Sequence, residues 1–449
     1  MKVLLISANT IHAPHPVYPL GLDYLVGALT PRHEVRLLDV NAAGGEETIG
    51  AALRDADPEV IGLSIRNIDN VDTLAVKSFV SGYEGIVRLV RRCTGAPIVL
   101  GGSGFSIFPG ELMSLLDADL GVVGEGEHMV SLLSALERGD DPSALPGIMV
   151  RGGVVPEPVP WTGSVVRRMR PGDAARRFYL EHGGILNLQT KRGCPFRCIY
   201  CTYPHIEGRR MRLTPPDEVA REARELQEMG ARFLFITDSA FNADVDHSLA
   251  VARAFRRRGL VIPWGAFLAP IRTPDGYYDV LAEAGWTHAE FGTESLCDAQ
   301  LKRYGKPFGV EDVLVAHESA RRAGAHIAHY FLLGGPGEDA VSLDETMNRM
   351  EELGKAAFFL LCGVRIFPHT PLYDLAVEDG QIRPDQNLLS PVFYRSKDVT
   401  TEAIIDRVQK QARGRINWVY GDGGEETERV VTRMYARGRT GPLWELLLR

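Results

Sequence analysis

The sequence predicts an α/β protein of two parallel-sheet units: an open, doubly wound sheet over residues 1–140, then a partial (β/α)6 barrel over 181–371. A linker spans 141–180 and a helical extension 372–449. Three observations predict this. Short apolar runs alternate with helical stretches through the first unit, the pattern of strands buried on both faces of a parallel sheet. The same alternation resumes near Ile185. Between the first strand and first helix of that second series lies a loop holding half of the chain's six cysteines.

In the first unit the expected strands are Lys2 to Ser7, Glu34 to Val40, Val60 to Ile65, Ile98 to Leu100 and Leu120 to Val123. Helices are expected near Leu20 to Leu29, Glu46 to Arg54, Tyr83 to Cys93 and Pro109 to Leu116. An open parallel sheet binds ligands beyond the carboxyl ends of its strands. That rule singles out Ser64, Gly101, Gly102 and Gly124, where glycine lets backbone approach a ligand closely. Tight strand-to-helix turns need the same glycines with no ligand present. Gly101-Gly102-Ser103-Gly104 is not the dinucleotide fingerprint, because it follows the fourth strand and is differently spaced.

In the second unit six strands are expected: Ile185 to Gln189, Phe233 to Thr237, Trp264 to Leu268, His288 to Phe291, Ala325 to Leu333 and Phe358 to Phe367. Barrels place their chemistry at the carboxyl ends of such strands. The polar or glycine positions there are Asp238, Ser239, Glu294, Ser295, Gly335 and Arg365. Arg365 reads equally as a carboxylate ligand or as half of an ion pair inside the barrel.

Cys194, Cys198 and Cys201 are separated by three and two residues. Three thiolates so close can wrap one soft metal centre. The spacing is permissible for zinc, with His205 completing a Cys3His set; the other reading is a four-iron, four-sulfur cluster whose fourth iron is left open. Cys93, Cys297 and Cys362 stand alone and are expected to be buried thiols.

Composition excludes several classes. With 45% hydrophobic and 24% charged residues in 449, the chain is globular, not disordered. A net charge of -8 argues against nucleic acid as the main partner. The basic group Arg167, Arg168, Arg170, Arg176 and Arg177 is expected to be a solvated linker or helix face. No run of apolar residues is long enough to span a membrane, and the amino terminus turns polar too soon for a signal peptide. Clustered rather than paired cysteines suit a reducing compartment, so a cytoplasmic location is expected.

The segment Leu186 to Cys201 resembles the radical S-adenosylmethionine (SAM) superfamily, whose C-x3-C-x2-C loop follows the first barrel strand. Tyr200, just before the third cysteine, matches that pattern. The resemblance implies a 4Fe-4S cluster on Cys194, Cys198 and Cys201, SAM on the open iron, and reductive cleavage to a 5'-deoxyadenosyl radical that abstracts hydrogen from an unactivated carbon. It implies an electron donor of flavodoxin or ferredoxin type, or a dedicated reductase. It assigns Tyr200, Glu294, Ser295 and Gly335 to the SAM site; Asp238 and Ser239 occupy the place of the second-strand motif without its usual Gly-Gly-Glu.

Pro19-Leu20-Gly21-Leu22, Gly101-Gly102-Ser103-Gly104 and Gly124-Glu125-Gly126-Glu127 together look like the cobalamin-binding domain that precedes many radical SAM barrels. The D-x-H-x-x-G pattern that offers histidine to cobalt does not occur; His12 and His15 lie in that loop with other neighbours. The resemblance implies a cobalamin fold that holds the corrinoid without this histidine or persists as a scaffold. The expected function is cobalamin-dependent methylation of a small molecule in lipid or natural-product biosynthesis. The alternatives are radical dehydration, rearrangement or cyclisation of a polyol or sugar-like substrate on a vestigial cobalamin fold, and, more remotely, a zinc-stabilised binding protein.

Overall fold

The computed structural model describes residues 1–12, 15–163, 167, 174–421 and 424–448. The first sheet comprises β1 (Lys2–Ser7), β2 (Glu34–Asp39), β3 (Val60–Ser64), β4 (Ile98–Gly101), β5 (Leu120–Val122) and β6 (Ile148–Val150), in the order β2-β1-β3-β4-β5-β6. Alternate residues of β1 enter opposite cores. Val3 and Leu5 pack with Leu25, Leu29 and Leu132, while Leu4 and Ile6 pack with Leu53, Val87 and Leu112. Burial on both faces explains the unbroken apolar run. Because β1 is flanked by β2 on one side and β3 on the other, the strand order reverses there, which opens a crevice at the carboxyl ends of β1 and β3.

β6 departs from the expected linker. Ile148 and Met149 are buried, and the strand runs antiparallel to β5 with Leu120 opposite Val150. The first unit thus extends to Val150, because the unpaired edge of β5 is covered by the next apolar segment of the chain.

The second sheet contains β7 (Ile185–Leu188), after which the hairpin of β8 (Lys191–Arg192) and β9 (Arg212–Leu213) brackets the cysteine loop. It continues with β10 (Phe233–Ile236), β11 (Trp264–Leu268), β12 (Trp286–Glu294), β13 (His326–Leu333) and β14 (Ala356–Cys362), all parallel. The long sixth strand expected to reach Phe367 is broken at Gly363, whose φ of +87° ends β14. Beyond it, β15 (Val364–Arg365) pairs antiparallel with β16 (Phe393–Tyr394). A seventh strand, β17 (Trp418–Tyr420), joins parallel to β14. It is too short to show periodicity; Trp418 packing edge-on against Phe358 at 5.3 Å holds it.

The tail divides its contacts. Helix Pro371–Glu378 places Leu372 and Ala376 in the core shared with the first sheet, and helix Thr401–Ala412 places Ile404 and Val408 in the barrel core. A 3-10 segment, Leu443–Leu448, crosses the amino end of the barrel, where Trp444 Nε1 donates to Glu290 at 3.0 Å.

Buried ion pairs join the units. Arg167 contacts Asp23 at 2.8 Å and Glu222 at 3.0 Å, with its side chain 1% exposed. The solvated basic face expected there is therefore incorrect for Arg167; Arg176 is also buried, Arg177 is exposed, and Arg168 and Arg170 lie outside the described residues. Cys297 and Cys362 are buried as expected, but Cys93 is exposed at the end of its helix. Among the described residues no helix is long and apolar enough to cross a membrane.

Candidate active site

The cysteine loop is tied down by its backbone. Gly193 has φ +85°, and a Cβ there would strike the Arg210 carbonyl. Its N–H donates to Glu207 Oε2 at 2.9 Å, Cys194 N–H to Gly208 at 3.1 Å, and Ile199 N–H to Tyr304 at 3.1 Å. Burial pushes the Cys201 thiol up to about 12, and it raises Cys198 as well. Metal binding at these sulfurs therefore has to displace protons.

The alternative of a compact zinc site does not fit. Zinc–sulfur bonds of ~2.3 Å would put ligand sulfurs about 3.8 Å apart. Among the described residues, the group whose ligand atoms all lie within 4.8 Å is His288, His326 and Glu445, not the cysteines with His205. His205 instead stacks face to face on His369 at 4.0 Å. A wider centre, such as an iron–sulfur cluster, suits the thiols better.

Facing the loop from the end of β12 is Glu294. The register shift between Gly292 and Glu294, with φ +65° at Glu294, turns this carboxylate toward the cysteines. Tyr200 donates to Glu294 Oε1 at 2.7 Å and Lys306 Nζ does so at 2.9 Å. Burial opposes the charge of Lys306, yet Glu294 and the nearby thiols hold its pKa above the ordinary value. Lys306 is a site residue that sequence reasoning missed; it follows an ordinary helix end and carries no local motif.

The remaining barrel positions behave differently from one another. Ser239 Oγ is buried with no partner, an open hydrogen-bonding group at the end of β10. Asp238, in the place of the second-strand motif, accepts from Thr190 N at 2.8 Å, Thr190 Oγ1 at 2.6 Å and Lys191 Nζ at 2.8 Å. Both its oxygens are engaged in joining two loops. Ser295 is fully buried and bonded to Thr346 Oγ1 at 2.9 Å, so it anchors a helix rather than facing a ligand. Gly335 makes room for Tyr304, whose ring any Cβ there would enter. Arg365 resolves as an ion pair, but one between the two units. It reaches Asp69 Oδ2 at 3.0 Å and donates to Leu388 O at 2.7 Å.

Glu338, in the loop after β13, has one buried oxygen without a partner, while the other accepts from Gly334 N–H. Burial pushes its carboxyl up to about 7, against the pull of the Gly334 and Gly335 amides. The folded state then holds a proton that the unfolded chain releases near the ordinary 4.5. Stability from this group is complete below the unfolded pKa and declines as pH rises toward the folded one. Wild type is expected to lose on the order of 3 kcal/mol relative to Glu338→Gln between pH 4.5 and 7.5, measured by urea unfolding. An unchanged difference would remove Glu338 as the source.

A cavity of about 630 Å³ lies at the crevice between β1 and β3 and is roofed by the barrel. Ser64, Gly101, Gly102 and Gly124 all line it, together with Thr202 and Tyr203 next to the last cysteine. Gly102 has φ +96°, and a Cβ would collide with Ile65 backbone, so glycine is required by the turn itself. Arg66 also lines the cavity; among the described residues no carboxylate pairs with its guanidinium, and burial lowers its pKa. No histidine lines it among the described residues. His12 turns aside to Asn41 Oδ1 at 3.0 Å.

The Gly124-Glu125-Gly126-Glu127 loop has a second role that its sequence did not reveal. Arg192, between the first barrel strand and the cysteines, contacts Glu125 at 2.7 Å and Glu127 at 2.6 Å, and Arg212 also contacts Glu125. These pairs lock the cysteine hairpin to the rim of the first sheet.

Together these features define a two-unit enzyme in which the segment directly after a three-cysteine barrel loop and an open-sheet ligand crevice line one cavity. The unpaired Ser239 hydroxyl, the wide-set thiols and the uncompensated Arg66 suit bound cofactors on both sides of it. Comparison with known proteins agrees. Residues 6–134 match the B12 binding domain and residues 188–350 the Radical SAM superfamily. The chain thus joins a B12 binding domain to a radical SAM domain, and it is methyltransferase-like.

It is 26% identical to the tryptophan 2-C-methyltransferase of Streptomyces laurentii, over 82% of this chain and 73% of that protein. It is 24% identical to the cytidylyl-2-hydroxyethylphosphonate methyltransferase of Streptomyces wedmorensis, over 86% of this chain and 84% of that one. Its fold is that of the radical SAM methyltransferase TsrM from Kitasatospora setae, solved with tryptophan substrate and a SAM analogue. The TM-score is 0.90 at 24% identity, covering 99% of this chain and 97% of that one.

Proposed function

We propose that the protein methylates carbon on an aromatic small molecule, tryptophan being the first candidate, in natural-product biosynthesis. The observation that carries this reading is the single chamber. Thr202 and Tyr203, beside the cysteine loop, and Gly101 to Gly104, on the first sheet, line the same cavity. When bound, the cluster with SAM supplies reductive chemistry and cobalamin supplies methyl transfer.

In this reading Cys194, Cys198 and Cys201 hold the cluster, and Glu294 with Tyr200 and Lys306 forms a polar wall beside it. Ser239 is available to hydrogen-bond SAM. Ser64, Gly101, Gly102 and Gly124 border the corrinoid, and Arg66 offers it a positive charge in place of a histidine. Phe267, Phe367 and Tyr203 line the chamber and give flat apolar surface to an aromatic ring, Phe267 remaining 38% exposed toward it. The barrel roof and the Arg192 pairs exclude bulk water from the reacting groups. A low-potential electron donor docking near the cysteine loop completes the system.

The test is anaerobic reconstitution with iron, sulfide and hydroxocobalamin, followed by incubation with methyl-deuterated SAM and tryptophan. Transfer of the deuterated methyl group to the indole carbon skeleton, detected by mass spectrometry, is expected. Methylation of a phosphonate nucleotide and not of tryptophan would overturn the aromatic assignment. Formation of 5'-deoxyadenosine with no methylated product from any substrate would overturn the methyltransferase reading.

A further inference from the structure

At the amino end of the barrel, opposite the chamber, three potential ligands converge on one point: His288 near the start of β12, His326 at the start of β13, and Glu445 in the Leu443–Leu448 segment. His288 Nε2 lies 3.2 Å from Glu445 Oε2, and His326 Nε2 lies 3.7 Å from the same oxygen. The second separation is too long for a hydrogen bond. The two separations bracket the edges of a tetrahedron around a metal, where bonds of about 2.0–2.2 Å place ligand atoms about 3.3–3.6 Å apart.

A neighbouring group orients the site. Thr287 Oγ1 sits 2.8 Å from His288 Nδ1 and 3.5 Å from the Trp264 carbonyl. In the tautomer that carries its proton on Nδ1, His288 donates to this hydroxyl, which in turn points its own proton at the carbonyl. That tautomer turns the Nε2 lone pair toward the carboxylate oxygen, the orientation a metal ligand needs. A hydrogen bond that fixes the remote nitrogen of a ligating histidine is a recurrent second layer of metal sites. His288 is buried, its side chain 5% exposed, whereas His326 is 45% exposed and leaves the fourth position open to water.

We infer that His288, His326 and Glu445 form a binding site for a divalent transition metal, with zinc the best match to two imidazoles and one carboxylate. The metal clasps the carboxyl-terminal segment across the barrel floor. Trp444 already anchors that segment on Glu290 at 3.0 Å, and Gly441 N–H bonds Gly183 O at 2.8 Å. The site is separate from the cysteine loop, which lies beyond the carboxyl end of β7.

The probe is zinc alone, added to the full-length, cluster-reconstituted protein and followed by desalting and metal analysis. Wild type is expected to retain one zinc per chain, and zinc-edge X-ray absorption to show nitrogen and oxygen neighbours without sulfur. His326→Ala and Glu445→Gln, both at partly exposed positions, are expected to weaken zinc by more than about 100-fold, and Thr287→Val by about 10-fold to 100-fold. Variants carrying a normal visible cluster spectrum establish that the barrel is folded. A variant lacking all three loop cysteines is expected to keep the zinc. Sulfur in the zinc shell, loss of zinc with the cysteines, or retention unchanged in both His326→Ala and Glu445→Gln would overturn the site.

Discussion

Replacing Cys198 with alanine is expected to abolish iron–sulfur absorbance and SAM cleavage while leaving the first sheet folded and able to bind cobalamin. Cys198 is half-buried on a loop, and it does not line the cavity at the crevice of the first sheet. Its neighbours are fixed by backbone bonds from Gly193, Cys194 and Ile199 that do not involve its side chain. The truncation thus removes one of three sulfurs without opening a core cavity. Iron content, 5'-deoxyadenosine formation and corrinoid retention after desalting separate these effects. SAM cleavage retained at the wild-type rate would refute the assignment of the loop.

Lys306→Met is expected to cost about 3–5 kcal/mol of stability, the penalty for stranding one member of a buried ion pair. Glu294 would keep only the Tyr200 hydroxyl, 2.7 Å away, and would be left without its buried counter-charge. The same change removes a positive charge that lowers the pKa of both Cys198 and Cys201. The cluster should become harder to reduce. Against a typical total stability of about 5–15 kcal/mol, the loss is large enough to read directly from a urea midpoint. The double variant Lys306→Met with Glu294→Gln should recover most of it, since no uncompensated charge remains. A single variant as stable as wild type, with an unchanged reduction potential, would show that the pair is not the charge balance of the site.

The elements read from sequence with good agreement are those whose signal is local. Helix Leu20–Leu29 and strand Lys2–Ser7 coincide with their expected bounds, and the other four expected strands of the first sheet, β2 to β5, lie within one residue of theirs. Cys194, Cys198 and Cys201 are close in sequence and so must be close in space. β6 and β17 were missed because three residues carry no period, and each is stabilised by a neighbour that sequence does not place.

Side-chain roles divided along the same line. Asp238, Ser295 and Arg365 stand where ligand contacts were expected, yet each is satisfied by a distant partner: Lys191, Thr346 and Asp69. Lys306, Arg192 and Arg66 gained roles that no local pattern announced. The basic residue Arg167 illustrates the limit, since its surroundings in sequence are polar and its surroundings in space are two carboxylates in a buried seam.

Hydrophobic alternation, glycine turns and cysteine spacing were enough to set the two parallel sheets, their order along the chain and the metal-binding loop, because short-range sterics and the burial of apolar faces act between near neighbours. Which polar groups meet was decided by the docking of the two units. A buried carboxylate or guanidinium takes whichever partner the packed backbone brings within about 3 Å, and that distance depends on the whole fold.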